Sequence, residues 1–303
     1  MDSHFTESTG LLSTDVSSDC LDQRLDDYRA VIALPPVDIA DPSALNHQEL
    51  TELRGRILVA NFAHYRCAES ASDTAVLDFC RQVGLQTIHP SEVPGGLNKI
   101  QVSDGSKARY IPYTNSELIW HTDGYYYPKS NPVRSMLLHC VRPARKGGAT
   151  ELINHEIVYA LLAQKSPEYI AALSRADVMT IPANMQAPDG PREAQSGPVF
   201  WQGPDRIHMR YTTRRHNILW RQDPLSHEAV EALVELLKQR TDLMFHRQLR
   251  ASEGVLSNNT PHRRKPFHES TEKDQGRLFY RGRFHDSIHI PYSVRRKHYA
   301  PYK

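Results

Sequence analysis

The chain has 303 residues, of which 39% are apolar and 24% charged, and its formal net charge is +2. This length allows one large domain or two small ones with a sizeable core, and the small charge argues against nucleic-acid or membrane binding as the main function. The four cysteines form no CxxC pair, so a structural zinc knuckle is not predicted and the reduced thiols of a cytoplasmic protein are expected. We see no secretory signal and no apolar run long enough to cross a bilayer.

The first predicted segment is a weakly ordered arm over residues 1–24, which are rich in Ser, Thr and Asp. Residues 25–303 are predicted to form a single domain. Four helices are expected on apolar spacing and capping residues. They begin at Asp41-Pro42-Ser43, within residues 70–83 before Gly84, after Asn154, and after Pro224 with Ser226 as the N-cap.

Short strand-like runs separate these helices and are bounded by Gly and Pro. They are LNKIQV, SMLLHCV, ATELI, DRIHMRYT, EGVLSN and GRLFYRGRF. Strands so numerous and so widely separated predict an antiparallel barrel or jelly roll with helical cover, so the fold class is mainly β with covering helices. There is no repeat at a fixed period and no glycine-rich phosphate loop.

The segment IWHTDG carries the first candidate site. If it ends a strand, His121 and Asp123 point to one side and Thr122 to the other. An imidazole and a carboxylate on one face are two of the three ligands of a 2-His-1-carboxylate iron site, which leaves three positions open. About one HxD or HxE pair is expected by chance in a chain with 16 histidines, so an exposed or core-packed pair is the alternative at this point.

Three later segments add candidates. NNTPH ends in His262, a distant second imidazole, and in GRLFYRGRF a strand would place Arg277 and Arg281 on one face. An inward arginine requires an anion, such as a carboxylate co-substrate, whereas outward, solvated arginines are the simpler alternative. In KGGAT, the glycine pair predicts a tight turn that places Thr150 at a strand start.

Taken in order, WHTDG, GGAT, NNxxH and GRLFYR resemble the taurine dioxygenase/clavaminate synthase-like (TauD/TfdA) family of Fe(II)/2-oxoglutarate-dependent oxygenases. The resemblance extends from about Asn98 to about Arg283. It implies a double-stranded β-helix (jelly-roll) core with a helical insert between the metal-binding motifs. It also implies Fe(II), 2-oxoglutarate and O2 as cofactor and co-substrates.

The resemblance assigns roles residue by residue. His121, Asp123 and His262 would bind the metal, with no catalytic residue beyond these ligands. Arg277 and Thr150 would hold 2-oxoglutarate, and Arg281 occupies the place of an arginine that meets substrate in clavaminate synthase-like relatives. The retained Asp123 argues against halogenation, because related halogenases lose that carboxylate.

Two further substrate contacts are expected from the residues alone. In HMRYT, strand alternation would turn Arg210 inward, although an exposed position is the alternative. Tyr125, in the run of tyrosines after Asp123, would line a lid or else pack in the core. Arg263, Arg264 and Lys265 are expected to form a solvated basic turn.

The implied activity is a dioxygenase that hydroxylates a small anionic or zwitterionic, amino-acid-like metabolite, with succinate and CO2 as co-products. One alternative keeps the iron site for desaturation, cyclisation or oxidative cleavage, and another is a jelly-roll protein that binds metal without redox chemistry. The expected partner is a small molecule, with no nucleic acid and no membrane, and a homo-oligomer is left open.

Overall fold

Two facing β-sheets form the centre of the fold in the computed structural model. It describes residues 18–90, 96–105, 110–186, 190–203, 206–214, 218–270, 275–288 and 290. The helices are α1 (Ser18–Ala33), α2 (His47–Ala60), α3 (Asp73–Gln82), α4 (His155–Lys165), α5 (Pro167–Leu173) and α6 (Pro224–Gln239). Among them and the rest of the described chain, no helix has the length and apolar character needed to span a membrane.

The strands are short and follow one another throughout the described chain. They are β1 (Val37–Ile39), β2 (Phe62–Cys67), β3 (Asn98–Ile100), β4 (Leu118–His121), β5 (Ser135–Arg142), β6 (Lys146–Gly147), β7 (Thr150–Leu152), β8 (Met179–Ile181), β9 (Gln195–Gly197), β10 (Phe200–Gln202), β11 (Ile207–Met209), β12 (Leu219–Trp220), β13 (Phe245–Arg247), β14 (Glu253–Ser257), β15 (His262–Arg264), β16 (Phe267–His268) and β17 (Leu278–Phe284).

The strand order joins segments that are far apart in sequence. The larger sheet has six strands in the order β1–β2–β14–β5–β17–β3, and the smaller has four in the order β13–β7–β15–β4. Except for the parallel pair β1–β2, the pairs in these two sheets are antiparallel. The predicted jelly-roll core with helical cover is confirmed, and α4, α5 and α6 lie between the two metal-binding motifs.

Helices cover the outer face of the larger sheet. Tyr65 of β2 is fully buried beside Phe79 of α3, with ring centroids 4.6 Å apart. A second apolar core fills the space between the sheets and continues under α4 and α6, with Leu152 and Val255 among its members. The metal-binding segments therefore lie on strands supported from both sides, which limits how far their side chains can move.

Several predicted boundaries differ from the structure. Residues 18–24 of the expected arm belong to α1, because Leu21, Leu25 and Tyr28 pack into the core; the rest of the arm lies outside the described residues. Helix α2 begins after Asn46, whose side chain and Glu49 form a capping box, and not at residues 41–43. Helix α6 is capped by Asp223, not by Ser226.

Candidate active site

The strands β4 and β15 bring the two histidines together. The two strands are paired with His121 opposite His262, and Thr122 alone separates the strand end at His121 from Asp123, where a turn begins. The Nε2 atoms of His121 and His262 lie 3.7 and 4.0 Å from Oδ1 of Asp123. These three residues offer ligand atoms that all fall within 4.8 Å of one another, which suits one shared cation.

Both imidazoles are oriented by the backbone of their own segments. Nδ1 of His121 donates to the carbonyl of Ile119 over 2.8 Å, and Nδ1 of His262 donates to that of Thr260 over 2.9 Å. A carbonyl can only accept, so Nδ1 carries the proton and Nε2 keeps a lone pair for a metal. Burial, with a contribution from His262, lowers the pKa of His121 to about 3, which keeps that ring neutral.

Asp123 is held by the segment that carries the other histidine. Its backbone N–H donates to Oδ1 of Asn259 over 2.7 Å, and Nδ2 of Asn259 donates back to the Asp123 carbonyl over 2.9 Å. Burial alone would raise the pKa of Asp123, but the charges of Arg281 and Arg283 hold it well below its usual range. Its Oδ2 is buried and accepts no hydrogen bond from the described part of the chain, as expected of an oxygen that awaits a cation.

The segment after β11 continues the smaller sheet beside the metal-binding motif. The N–H of Thr122 donates to the carbonyl of Tyr211 over 2.9 Å, and the N–H of Tyr211 donates to the Thr122 hydroxyl over 3.0 Å. His121 and Thr212 form an antiparallel bridge. Thr122 therefore faces away from Asp123, as strand alternation predicts.

A cavity between the two sheets is lined by the three candidate metal ligands and by the residues predicted to bind the co-substrate. Its lining includes His121, Asp123 and His262 together with Thr150, Arg277 and Arg281. The guanidinium of Arg277 is buried over the rings of Phe279 and Phe267, with its central carbon 3.8 and 5.2 Å from their centroids. It has no acceptor among the described residues, and burial lowers the pKa of Arg277 to about 9.

A buried cation without an acceptor is costly, so this position fits a carboxylate ligand. The charge of Glu269 acts on Arg277, but no acid among the described residues forms an ion pair with its guanidinium, and a dicarboxylate bound beside the three candidate metal ligands would supply that partner. Thr150 is 3% exposed and lies in the same cavity, where its hydroxyl can add a hydrogen bond. The residues present therefore fit both a divalent metal and a diacid.

Strand β17 places Arg281 on the cavity side, as strand alternation predicts. The same alternation turns Arg283 inward, where its Nη1 lies 3.3 Å from the hydroxyl of Tyr126 and its charge acts on Asp123. Sequence reasoning missed Arg283 as a site residue, although its spacing of two from Arg281 was a sufficient signal.

Tyr125 and Arg210 meet each other and line a second cavity together with Asp123. The ring of Tyr125 packs against the core and stands edge-on to Tyr126, with centroids 5.1 Å apart. The guanidinium of Arg210 donates to three backbone carbonyls, those of Tyr125, Met179 and Gln195, over 2.6, 3.0 and 2.8 Å. Its donors are thus used inside the protein.

The expected basic turn at residues 263–265 is corrected by the structure. Arg264 is buried and donates to the carbonyls of Pro112, Thr114 and Ser116. Arg263 forms an ion pair with the buried carboxylate of Glu151 behind the metal strand. Because strand β15 starts at His262, these side chains belong to a sheet and not to a solvated loop.

A jelly roll with two histidines and one carboxylate around a single point defines the class of non-haem iron oxygenases that carry a facial triad. The chain belongs to the taurine catabolism dioxygenase TauD, TfdA family, whose sequence profile matches residues 25–282.

Individual relatives are distant. A uridine-5'-phosphate dioxygenase from Streptomyces sp is 29% identical over 139 residues, which are 46% of this chain and 49% of that protein. The chain thus matches about half the length of this curated relative.

Solved structures share the fold at low identity. The non-haem iron oxygenase OrfP with Fe and alpha-ketoglutaric acid superposes with a TM-score of 0.60 at 13% identity, over 92% of this chain and 95% of that one. An asparagine oxygenase with Fe(II), hydroxyasparagine and succinate gives a TM-score of 0.55 at 14% identity, over 88% and 92%.

Proposed function

We propose that this protein is an Fe(II)/2-oxoglutarate-dependent dioxygenase that hydroxylates a small anionic or zwitterionic metabolite, with succinate and CO2 as co-products. The observation that carries the proposal is one cavity with two features. Three ligand atoms converge within 4.8 Å, and the buried guanidinium of Arg277 lines the same space without an acceptor among described residues. A protein that only binds metal has no need of that buried cation.

In this proposal His121, Asp123 and His262 bind the iron, and Arg277 with Thr150 binds the remote carboxylate of 2-oxoglutarate. The bound iron and 2-oxoglutarate supply the oxidant that abstracts a hydrogen atom from the substrate. The protein keeps the imidazole of His121 neutral, holds the carboxylate of Asp123 ionised and orients the diacid through a guanidinium fork.

Arg281 and Tyr125 are the proposed substrate contacts. Arg281 lines the metal cavity and Tyr125 lines the neighbouring one, so a substrate between them would lie beside Asp123. The solved relatives are described with amino-acid products and the curated relative with a nucleoside phosphate. All of these molecules are anionic or zwitterionic, which supports an arginine contact.

The test is an anaerobic titration with Fe(II) and 2-oxoglutarate, followed by a substrate screen for succinate release in air. Wild-type protein should develop a visible charge-transfer band, and His262→Ala should remove it. If wild type gives neither the band nor succinate, the oxygenase proposal is wrong. Product mass then separates the outcomes, because hydroxylation adds one oxygen whereas desaturation removes two hydrogens.

We further propose that the protein acts in the cytoplasm, which its cysteine usage supports. The three cysteines Cys67, Cys80 and Cys140 are buried and unpaired, and burial raises the pKa of each thiol. Such thiols are suited to a reducing compartment.

A further inference from the structure

The side chain of Arg210 bonds to three separate segments beside the candidate metal ligands. We propose that Arg210 is a positioning residue, which locks the hairpin formed by β8 and β9 onto the tyrosine segment Tyr125–Tyr127 and so fixes one wall of the substrate cavity. The role differs from direct substrate contact and from metal binding.

The hydrogen bonds of Arg210 divide among three different pieces of chain. Nε donates to Tyr125, two residues after the metal ligand Asp123, while Nη1 donates to Met179 in β8 and Nη2 to Gln195 in β9. Only the planar, five-donor guanidinium can reach three carbonyls in separate directions, since a lysine has a single nitrogen.

The surroundings leave space for that guanidinium. Gly197 lies in β9, and a Cβ added there would come within 3.2 Å of Nη1 of Arg210. Burial lowers the pKa of Arg210 to about 10, so the group stays charged at neutral pH. Charged donors strengthen hydrogen bonds to carbonyl oxygens in a poorly solvated place.

The hairpin and the tyrosine segment also touch through a second contact. Arg192, at the Asn184–Arg192 bridge beyond β8 and β9, places its guanidinium carbon 4.1 Å from the ring centroid of Tyr126. The cavity beside them is lined from both sides, by Tyr125 and Tyr127 on one and by Ser196 and Gly197 on the other. A wall made of two segments is rigid only if the segments are held together, and Arg210 supplies three hydrogen bonds between them beside the single ring contact of Arg192.

Asp123 itself does not depend on Arg210. Its backbone N–H and carbonyl are both bonded to Asn259. Asn259 therefore positions the metal ligand Asp123, whereas Arg210 positions the cavity wall formed by the tyrosine segment and the hairpin. Loss of Arg210 should leave the metal and 2-oxoglutarate sites unchanged while the wall loosens.

The test is hydrogen–deuterium exchange on full-length protein, comparing Arg210→Met with wild type. We expect exchange to rise tenfold or more in the peptides that cover residues 125–131 and in those that cover residues 179–186 and 190–197, with strands β5 and β14 unchanged. Arg210→Lys should restore part of the protection. Gly197→Val, which crowds the guanidinium, should loosen the same two segments if Arg210→Met fails to fold.

The matched control is Arg221→Met, which removes exposed ion pairs to Asp177 and Asp223 near the start of β8 and should change neither segment. Exchange that rises throughout the chain, or in only one of the two segments, would overturn the proposal.

A kinetic measurement adds a readout that a purely structural role would not give, and this part rests on the proposed function. For a substrate found in the succinate screen, Arg210→Met should raise its KM tenfold or more and leave the KM for 2-oxoglutarate within twofold. Equal changes in both KM values would contradict a wall-specific role. If wild type lacks succinate release altogether, the proposed function fails while the exchange result still decides the role of Arg210.

Discussion

The buried charge of Arg277 lowers the stability of the protein without ligand, and we expect the same charge to favour binding of 2-oxoglutarate. Its guanidinium is buried on Phe279 and has no acceptor in the described part of the chain. Replacing it with methionine keeps most of the side-chain volume and removes a buried charge that forms no ion pair with a described acid. The free protein should therefore lose no stability.

Arg277→Met should nevertheless weaken 2-oxoglutarate binding. Removing one partner of a buried charge pair costs about 2–5 kcal/mol, roughly 30-fold or more in Kd. The measurement is a 2-oxoglutarate titration with Fe(II) under anaerobic conditions, beside thermal unfolding of the apoprotein. Arg277→Lys should fall between the two proteins, because it keeps the charge but lacks the fork. An unchanged Kd would exclude Arg277 from the co-substrate site.

Asn259 gives a prediction on metal affinity. It bonds both backbone groups of Asp123 and also donates to the carbonyl of Val133 over 2.7 Å. Its φ is 52°, so Asn259→Gly removes the side chain without backbone strain. Residues that orient a ligand typically contribute about 10–100-fold to metal affinity.

We expect Asn259→Gly to raise the Kd for Co(II), an Fe(II) substitute, by about tenfold or more. Ser252→Gly is the matched control, because Ser252 also has a positive φ of 65° but neither belongs to the candidate metal ligands nor lines their cavity. Equal Co(II) affinity in wild type and Asn259→Gly would show that Asp123 is fixed by other contacts.

At the scale of elements, the end of β6, just before β7, requires glycine. Gly147 has a φ of 81°, and a Cβ there would lie 2.5 Å from the carbonyl oxygen of Pro266. Gly147→Ala should destabilise the protein by at least about 1–2 kcal/mol through the backbone conformation alone. Because β7 carries Thr150, the same change should also weaken 2-oxoglutarate binding.

Gly55 offers the opposite result from the same substitution. It lies inside α2, and a Cβ there meets nothing within 4 Å. Gly55→Ala should therefore stabilise the protein by about 0.5–1 kcal/mol, since alanine favours the helix. Urea unfolding of both variants measures the difference, and two changes of the same sign would contradict the assigned backbone roles.

The sequence predicts elements well where the pattern is local and less well where tertiary contacts decide. The spacing of four residues between Arg277 and Arg281 fits one face of an extended segment, and both line one cavity, although Arg277 lies just before β17 and a register shift follows Leu278. The predicted start of α2 was wrong even though the deciding signal is local, because the capping box of Asn46 and Glu49 prevails over the competing signal at Asp41-Pro42-Ser43.

Arg264 could not be assigned locally, since its acceptors at Pro112, Thr114 and Ser116 are about 150 residues away along the chain. Contacts in the interior likewise join residues that are far apart in the sequence. Asn61, in a left-handed conformation after α2, bonds the side chains of Asn154 and Arg206, which belong to the start of α4 and the segment before β11. No periodic pattern in the sequence predicts such a network, because each residue alone resembles an ordinary helix cap or surface group.

Buried histidines set the response of the whole molecule to acid. Burial lowers the pKa of His139 and of His155 to about 4, against about 6.5 in an unfolded chain. Between pH 4 and pH 6.5 these histidines are therefore mostly protonated in the unfolded chain and mostly neutral in the folded protein. Stability is therefore complete above about pH 7 and falls as the pH drops from 6.5 towards 4, by about 1.4 kcal/mol per pH unit for each such histidine.

His155→Gln isolates one of these contributions. Nε2 of His155 donates to the carbonyl of Ile207 over 2.8 Å, and a glutamine amide can make the same bond without titrating. Urea unfolding between pH 7 and 5 should then show a shallower loss of stability than wild type, by about 1.4 kcal/mol per pH unit. A wild-type slope in His155→Gln would mean that the folded protein protonates this ring as readily as the unfolded chain does, which its burial beside Arg206 opposes.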